Sequence, residues 1–259
     1  AVGMDIPVAE IRDEFDAVCI AIGAREPRNL VIPGCELGGI HFALEYLSQQ
    51  NRIVKGDRIP PEELIMAYDK NVVVIGGGDT GSDCVGTANR QGARSITQME
   101  LLPQPPDHRT DKEPWPLWPK LLKTSSSHEE GCTRLWNVST KKFIGSNGTV
   151  STLSAVSVVW SAGPDGRQTM KEVPGSAFEL DADLVLIAMG FVHPVHPGLV
   201  QDLGSELYER GNIKIDGNFM TSVEGVFSAG DSSRGASLVV YAIQDGRDAA
   251  AAIHKYLSR

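Results

Sequence analysis

The sequence predicts an α/β fold built on buried parallel strands, and three observations support that prediction. The four β-branched residues at 72–75 lead directly into a cluster of glycines. Two further apolar runs, 17–23 and 184–190, end in the same Ala-x-Gly pattern. Another run, 226–231, ends in Gly-Asp. Apolar runs of this kind are typical of strands that are buried on both faces of a parallel sheet.

The glycine cluster has the spacing Gly76-x-Gly78-x-x-Gly81. It follows a predicted strand and opens a predicted helix over 82–89, with a second strand at 95–101, which is the context that the dinucleotide fingerprint requires. Gly76 allows the tight turn, Gly78 lets the backbone approach a pyrophosphate, and Gly81 lets the helix pack on the strand. A site for dinucleotide phosphates is therefore expected at this helix N-terminus, formed by Gly76, Gly77, Gly78, Asp79, Thr80 and Gly81.

Glu100 ends the second predicted strand, about 20 residues after the last glycine, where an acid binds the ribose 2′-hydroxyl of NAD. A carboxylate at this position repels a 2′-phosphate, so it favours NADH. Arg94 and Arg109 are candidate ligands for a 2′-phosphate, so the sequence leaves NADPH open as the alternative.

Composition and charge exclude several classes of function. The chain has 259 residues, enough for one large or two ordinary domains. A net charge of −9 argues against a surface for nucleic acid or anionic membrane. There is no apolar stretch of membrane-spanning length and no signal peptide, so a cytoplasmic protein is expected. The four cysteines form no CxxC pair, which excludes a local dithiol active site and a local iron–sulfur motif.

The other elements follow from apolar periodicity and turn residues. A helix is predicted over 40–50, and two β-like runs, 134–143 and 149–160, are joined by Asn147-Gly148, a strong hairpin signal. A turn at 163–166 completes a β-meander of the kind that crosses over between Rossmann strands. The end of the chain predicts a short strand at 213–215 and a helix over 235–257 that buries Leu238, Ala242 and Ile243.

His128 lies beside Glu129 and Glu130 in a polar stretch, 124–131, predicted to be a loop. These three residues match no metal-ligand spacing, and no metal site is predicted. The similarity of the two Ala-x-Gly runs favours two related nucleotide-binding domains over a solenoid of short repeats.

Residues 221–231 resemble the second flavin fingerprint of FAD-dependent pyridine-nucleotide oxidoreductases, and the two Ala-x-Gly runs resemble the connecting motif of these proteins. The resemblance implies a Rossmann-like flavoprotein with two dinucleotide-binding domains, each a three-layer ββα unit, and a β-meander crossover. The chain is most similar to the small (beta) subunits of glutamate synthases, through residues at 76–84, 98–106, 114–116, 124–131 and 229–231.

This family resemblance implies a split FAD-binding domain. Residues 1–70 are its first segment, 71–185 an inserted NAD(P)-binding domain, and 186–259 its second segment. Gly230 and Asp231 then hold FAD, and the helix near Ser237 and Leu238 points its N-terminus at the flavin. Gly23 and Gly190, at the carboxyl ends of their strands, are further cofactor candidates. No catalytic residue is assigned, because hydride transfer needs no acid or base.

The family reaction passes a hydride from NADH or NADPH to FAD. Electrons then pass through iron–sulfur centres to the large (alpha) subunit, which makes glutamate from glutamine and 2-oxoglutarate. The family's cysteine-rich region and first flavin fingerprint are not found in this sequence. We therefore expect an N-terminally truncated chain, with any iron–sulfur clusters in the missing region. Two alternatives remain: a reductase module that feeds ferredoxin or a pyrimidine dehydrogenase, and a non-catalytic NAD(P)-binding fragment.

Overall fold

The computed structural model describes residues 1–111, 113–117, 120–163 and 167–259. The chain divides into two compact units. The first unit contains residues 1–28 and 190–259, and the second contains residues 29–189. The predicted turn at 163–166 lies outside the described residues except for Gly163.

Eleven strands and seven α-helices occur in the described part of the chain. The strands are β1 (Val18–Ile20), β2 (Ile40–Phe42), β3 (Asn71–Ile75), β4 (Ser95–Glu100), β5 (Thr133–Trp136), β6 (Val138–Ser146), β7 (Thr149–Ala162), β8 (Gln168–Glu172), β9 (Phe178–Asp181), β10 (Leu184–Ile187) and β11 (Val226–Ser228). The helices are α1 (Val8–Glu14), α2 (Ala43–Val54), α3 (Asp79–Arg90), α4 (Ser126–Glu129), α5 (Leu199–Leu203), α6 (Asp231–Arg234) and α7 (Val239–Leu257).

The second unit has three layers around a parallel sheet with the strand order β2-β10-β3-β4-β5. Because side chains alternate along a strand, β3 sends its residues to both faces. Val72 and Val74 pack with helices α2 and α3 in one core, and Val73 and Ile75 pack with β6 and β7 in another. This arrangement confirms the predicted parallel α/β sheet and the three-layer ββα organisation of this unit.

The predicted helix over 40–50 begins three residues too early. Ile40–Phe42 form strand β2, which pairs in parallel with β10 through the Val185–Ile40 and Ile187–Phe42 registers. The helix starts at Ala43, where Glu45 accepts a hydrogen bond from the Phe42 amide at 3.0 Å. Strand pairing with a distant segment overrode the helical periodicity, which cannot reveal such a partner.

The predicted hairpin is confirmed, with β6 and β7 antiparallel and joined at Asn147 and Gly148. The β-like run over 134–143, however, belongs to two different sheets. Asn137 has a φ of +56°, and at this residue the chain leaves parallel strand β5 and enters antiparallel strand β6. An asparagine tolerates this left-handed conformation better than most residues, so the sharp change of direction falls there.

The first unit is built around the parallel pair β1 and β11. Its core contains Ile20 and Val226 from these strands, with Val8 from α1 and Val200 from α5. Helix α6 contacts β1, because Ser232 Oγ donates a hydrogen bond to the Ile20 carbonyl at 3.2 Å.

Three predictions for the end of the chain are wrong. Residues 213–215 form no strand, since Ile213 makes only an isolated bridge to Leu207. The last helix begins at Val239 and not at Gly235, because the chain first makes the short helix α6. Leu238 and Ile243 are each 52% exposed, so the predicted buried face is also wrong. The helix buries Asp245 and Ala249 instead.

The structural units and the predicted segments differ over residues 29–70. The sequence places these residues in the flavin domain, whereas they lie in the second unit with the predicted insertion, 71–185. The reason is that β2 extends the parallel sheet and α2 packs on α3. In the described part of the chain, no helix is both long and apolar enough to cross a lipid bilayer.

Candidate functional site

At two positions of the turn after β3, residues 76 and 81, only glycine fits. Gly76 has a φ of +125°, and a Cβ there would lie 2.2 Å from the Ala188 carbonyl oxygen. A Cβ on Gly81 would lie 2.3 Å from the Gly76 carbonyl oxygen. Helix α3 therefore approaches the strand more closely than any side chain would allow.

Gly78 has a different role, since nothing lies within 4 Å of the position that its Cβ would occupy. It is the N-cap of α3, and the amides of Gly78, Asp79 and Thr80 have no acceptor in the described residues. Unpaired amides at a helix N-terminus attract anions. They face a cleft of about 720 Å³ that Gly77, Gly78 and Asp79 line.

Glu100 lies in the wall of this cleft at the end of β4. Its Oε2 accepts a hydrogen bond from the Gly77 amide at 2.7 Å, and its Oε1 accepts one from the Leu102 amide at 3.0 Å. The carboxylate therefore also holds the glycine turn in place, a task that its position in the sequence did not suggest.

A series of side-chain hydrogen bonds connects the glycine turn to the segment around His128. Gln98, which is 2% exposed, donates from Nε2 to the Gly76 carbonyl at 2.9 Å. Its Oε1 lies 2.8 Å from His128 Nε2, and the Ser125 amide donates to His128 Nδ1 at 3.1 Å. Ser125 Oγ in turn bonds Ser82 Oγ on the first turn of α3. The predicted loop at 124–131 thus contains helix α4, whose polar residues fix the glycine turn.

The neighbours of His128 determine its protonation state. Because Gln98 Nε2 donates to Gly76, Gln98 Oε1 must accept, and His128 Nε2 must carry a hydrogen. Nδ1 is then an acceptor for the Ser125 amide, so the ring is neutral. Burial and the nearby positive charge of Arg134 both lower the pKa of His128. No cluster of three potential metal ligands occurs in the described residues.

Basic residues in the cleft wall were missed by the sequence reasoning. Arg134 lies on β5 over the ring of Trp136, at 4.8 Å from the ring centroid. Its Nε is buried and has no hydrogen-bond partner in the described residues. The basic residues that line the cleft are Lys120, Lys123 and Arg134.

The two arginines proposed from the sequence as phosphate ligands lie elsewhere. Arg94 pairs with Asp69 at 3.0 Å, and Arg109 donates to the carbonyls of Glu113 and Leu117 at 2.7 Å. Neither lines the cleft. The pairing of β5 with β4, which brings Arg134 beside Gln98, left no local signal in the sequence.

In the first unit, the structure places two of the remaining candidates at strand ends. Gly23 follows β1 with a φ of +74°, and Gly230 follows β11 with a φ of +68°. Since β1 and β11 are parallel neighbours, their carboxyl ends meet at one edge, where ligands of such sheets bind. Asp231 Oδ1 accepts a hydrogen bond from Ser237 Oγ at 2.9 Å. Gly190, with a φ of +81°, accepts the Arg28 amide at 2.9 Å.

The segment after Ser237 exposes apolar side chains. Leu238 is 52% exposed, Val239 70% and Val240 60%. Leu238 is the N-cap of α7 and the next two residues form its first turn. Three consecutive exposed aliphatic residues are typical of a surface that contacts a ligand or a partner.

Comparison with known sequences decides the family. The sequence model described as pyridine nucleotide-disulphide oxidoreductase matches residues 6–246. The chain belongs to this family. The matched residues include parts of both structural units, so the match covers the glycine turn of the second unit and Asp231 of the first.

Among curated relatives of this family member, the glutamate synthase [NADPH] small chain of Mycobacterium tuberculosis is 50% identical over 99% of the chain. The glutamate synthase [NADPH] small chain of Bacillus subtilis is 34% identical over 99%. The chain spans about half the length of these relatives, 52% and 53%. The glutamate synthase [NADH] of Schizosaccharomyces pombe is 37% identical over 95% of the chain, which covers 12% of that protein. The predicted resemblance to glutamate synthase small subunits is confirmed.

Solved structures show the same fold. FprA from Mycobacterium tuberculosis, determined in complex with NADPH, superposes with a TM-score of 0.74 over 100% of the chain and 67% of its own, at 18% identity. The thioredoxin reductase of T. acidophilum gives 0.58 over 94% of the chain and 66% of its own, at 19% identity. These neighbours confirm the predicted Rossmann-like fold class of the family member.

Proposed function

We propose that the chain is the reductase part of a glutamate synthase small subunit, which oxidises NAD(P)H and passes the electrons to FAD. The observation that supports this most directly is the glycine turn of the second unit, with unpaired amides of Gly78, Asp79 and Thr80 at the mouth of a cleft. Family membership and the identity to glutamate synthase small chains support the same reaction.

The nicotinamide dinucleotide is proposed to bind with its diphosphate on the first turn of α3. Gly76, Gly77, Gly78, Asp79, Thr80 and Gly81 supply the turn and its amides. The helix dipole and the free N–H groups stabilise the negative charge of the diphosphate. Glu100 and Gln98 hydrogen-bond to this backbone, so the amides are positioned before the nucleotide arrives.

For the nucleotide itself we favour NADPH. The NADH preference predicted from Glu100 rests on one carboxylate, and each of its oxygens already accepts one backbone amide, which leaves fewer lone pairs for a ribose diol. The same cleft contains Lys120 and Arg134, and within the described residues the one hydrogen bond of the Arg134 guanidinium is a long one, from Nη1 to Thr124 Oγ1 at 3.5 Å. A guanidinium with an unused donor suits a phosphate better than a hydroxyl. The names of the bacterial relatives agree with this choice.

The flavin is proposed to bind in the first unit. Gly230 has a φ of +68°, which favours glycine, and its lack of a side chain leaves the backbone open to a ligand. Asp231, fixed by Ser237, offers a second carboxylate oxygen to a ribityl hydroxyl. Leu238 begins the exposed apolar turn of α7, which suits a flat aromatic ring. Gly23 and Gly190 are proposed to allow close backbone approach. When bound, the flavin supplies the hydride acceptor.

The remaining parts of the reaction concern the longer protein. By analogy with the relatives, electrons would pass through iron–sulfur centres to a glutamate synthase large subunit, which makes glutamate from glutamine and 2-oxoglutarate. A cytoplasmic location also stays a prediction. Among the described side chains no acid or base is needed for the hydride step, so none is assigned.

The nucleotide proposal is tested by calorimetric titration of the purified chain with NADPH and NADH. We expect NADPH to bind more tightly, and Arg134→Gln to raise the Kd for NADPH roughly tenfold, the value of one charge-assisted hydrogen bond. The same variant should leave NADH binding nearly unchanged. Arg94→Gln, which removes an arginine outside the cleft, is the matched control. Binding of neither nucleotide would contradict the proposed function, and an equal loss for both would contradict only the phosphate assignment.

The flavin proposal is tested by the absorbance spectrum of the chain after incubation with FAD. We expect yellow protein whose flavin absorbance is bleached by NADPH without oxygen. Asp231→Asn should weaken FAD retention, and Asp216→Asn, which alters a loop aspartate of the same unit, should not. Retention of FAD without bleaching would support a nucleotide-binding fragment and contradict the proposed reaction.

A further inference from the structure

A cavity of about 600 Å³ lies in the first unit, and none of the predicted site residues lines it. Arg28 reaches it from the segment after β1, Arg210 from the loop before Ile213, and Arg234 from the end of α6. The other residues that line it are Phe191, Val192, Asn212, Gly235 and Ala236. The volume falls within the roughly 300–1,000 Å³ of ordinary small-molecule sites. We call it the arginine cavity.

Two of the three positive charges beside this cavity are uncompensated. The described residues that line it include three arginines and no carboxylate. Arg234 donates from Nε to Asp245 at 2.8 Å, so its charge is paired. The side chains of Arg28 and Arg210 have no hydrogen bond or ion pair with any residue that the structure describes. Two unpaired guanidinium groups beside one cavity contrast with a chain of net charge −9.

Backbone contacts order the main chain at Arg28 and next to Arg210. The Arg28 amide bonds the Gly190 carbonyl at 2.9 Å, and Pro27 pairs with Phe191 in an isolated bridge. Arg210 occupies a tight turn, in which the Gly211 amide bonds the Tyr208 carbonyl at 2.8 Å. The main chain that carries the two side chains is therefore ordered on either side of the cavity, while the guanidinium groups remain available to a ligand.

We propose that the arginine cavity binds a diphosphate. Arginine is always charged, and its planar fork binds phosphate oxygens in pairs. Because these arginines come from separate segments of the chain, the ligand must offer acceptors in several directions. A diphosphate does so around two tetrahedral centres, whereas a carboxylate offers two oxygens in one plane. This site goes beyond the proposed function, since none of the six flavin candidates lines the cavity.

The test is a calorimetric titration of the purified chain with inorganic pyrophosphate at low ionic strength. We expect saturable binding, which Arg28→Gln and Arg210→Gln each weaken roughly tenfold. Neither side chain makes a hydrogen bond or an ion pair within the part of the chain that the structure describes, so both variants should fold, and circular dichroism verifies this. Arg12→Gln removes an exposed arginine of the same unit outside the cavity, and should change the Kd by less than about twofold, because its charge is screened.

Further titrations identify where the diphosphate comes from. Saturating pyrophosphate will weaken FAD binding, or NADPH binding, in the unmodified chain but not in Arg28→Gln if the cavity takes the diphosphate of that cofactor. A loss of NADPH binding that is the same in Arg28→Gln comes from the first turn of α3 instead. If neither changes, the ligand is a free diphosphate. Succinate tests the alternative chemistry and should bind more weakly than pyrophosphate.

Three results would overturn the proposal: no saturable binding of pyrophosphate, an equal loss in Arg12→Gln, or tighter binding of succinate. The titration with pyrophosphate needs neither FAD nor NADPH. Its result therefore stands even if the proposed reductase function fails.

Discussion

The buried side chain of Gln98 joins the glycine turn to helix α4, because it donates to Gly76 at 2.9 Å and lies 2.8 Å from His128 Nε2. One amide group thereby satisfies a backbone carbonyl of the turn and fixes the tautomer of a histidine 30 residues away. The conformation of the glycine turn is thus determined by residues that bind no ligand themselves.

Replacing this amide should loosen the turn. Gln98→Leu keeps the volume but leaves the Gly76 carbonyl and the His128 ring without partners. We expect a loss of about 1–3 kcal/mol in the free energy of unfolding, measured by urea denaturation, and weaker NADPH binding. Gln201→Leu, an exposed glutamine of α5, is the control and should change neither quantity. An unaltered unfolding free energy for Gln98→Leu would show that the hydrogen bonds contribute nothing net.

Two glycine-to-alanine substitutions in helices should have opposite effects. At Gly81 the new Cβ would lie 2.3 Å from the Gly76 carbonyl oxygen, so Gly81→Ala should cost about 1–3 kcal/mol or more and abolish nucleotide binding. At Gly246, within α7, nothing lies within 4 Å of the Cβ position. Gly246→Ala should therefore stabilise the protein by about 0.5–1 kcal/mol. Urea denaturation of both variants measures the difference, and equal effects would contradict the close approach of α3 to its strand.

The neutral state of His128 predicts how stability depends on pH. Burial and then the charge of Arg134 lower its pKa in the folded protein, so the unfolded chain binds the proton more readily. This contribution to stability is complete above the unfolded pKa of about 6.5 and is lost as the pH falls from there towards the folded pKa. His41, whose pKa burial also lowers, acts in the same direction.

His128→Gln should therefore make the unfolding free energy depend less on pH between about 7 and 5. Urea denaturation at several pH values measures this slope. His254→Gln, at the exposed end of α7, should retain the slope of the unmodified chain. A His128→Gln variant with the full slope would assign the pH dependence to other groups.

The ion pair of Asp245 with Arg234 is expected to stabilise the first unit. Asp245 is 3% exposed and Arg234 is 46% exposed on its side chain, so only one partner is buried. Asp245→Asn should cost about 1–3 kcal/mol, less than for a pair that is buried on both sides. Asp248→Asn changes an exposed aspartate of the same helix and should cost less than about 1 kcal/mol.

This ion pair also makes stability fall as the pH falls, in the same direction as His128 but in a more acidic range and for a different reason. The hydrogen bond from Arg234 lowers the pKa of Asp245. Its contribution is therefore present above the unfolded pKa of about 3.9 and is lost as the pH falls below it. Acid denaturation of Asp245→Asn should begin from a lower stability but show a shallower slope in this range.

How much the sequence could predict depended on the range of the interactions. The strand at 71–75 and the turn after it were predictable, because a β-branched run and glycines with φ or contact constraints are local signals. The strand Ile40–Phe42 was not, because it is defined by pairing with β10. The exposed Leu238 and Ile243 were misplaced for a related reason, since helical periodicity does not say which face of a helix meets the core.

The candidate site shows the same limit. Gly76 to Gly81 and Glu100 were found from their spacing, and Glu100 does line the cleft. Arg134 and His128 reach the cleft only through the pairing of β5 with β4 and the packing of α4 on α3. Neither contact produces a recognisable spacing of residues in the sequence. The sequence therefore pointed to Arg94 and Arg109 as phosphate ligands instead.

The order of strands in the second unit affects how the protein is made. β10 lies between β2 and β3 in the sheet, but it is synthesised after all four of the other strands, β2, β3, β4 and β5. At ordinary translation rates the two facing edges stay unpaired for roughly 5–20 seconds. Unpaired edges of apolar strands associate with other chains. A polypeptide that stops before Leu184 would keep both edges open, so it should accumulate as aggregates and not as a smaller nucleotide-binding domain.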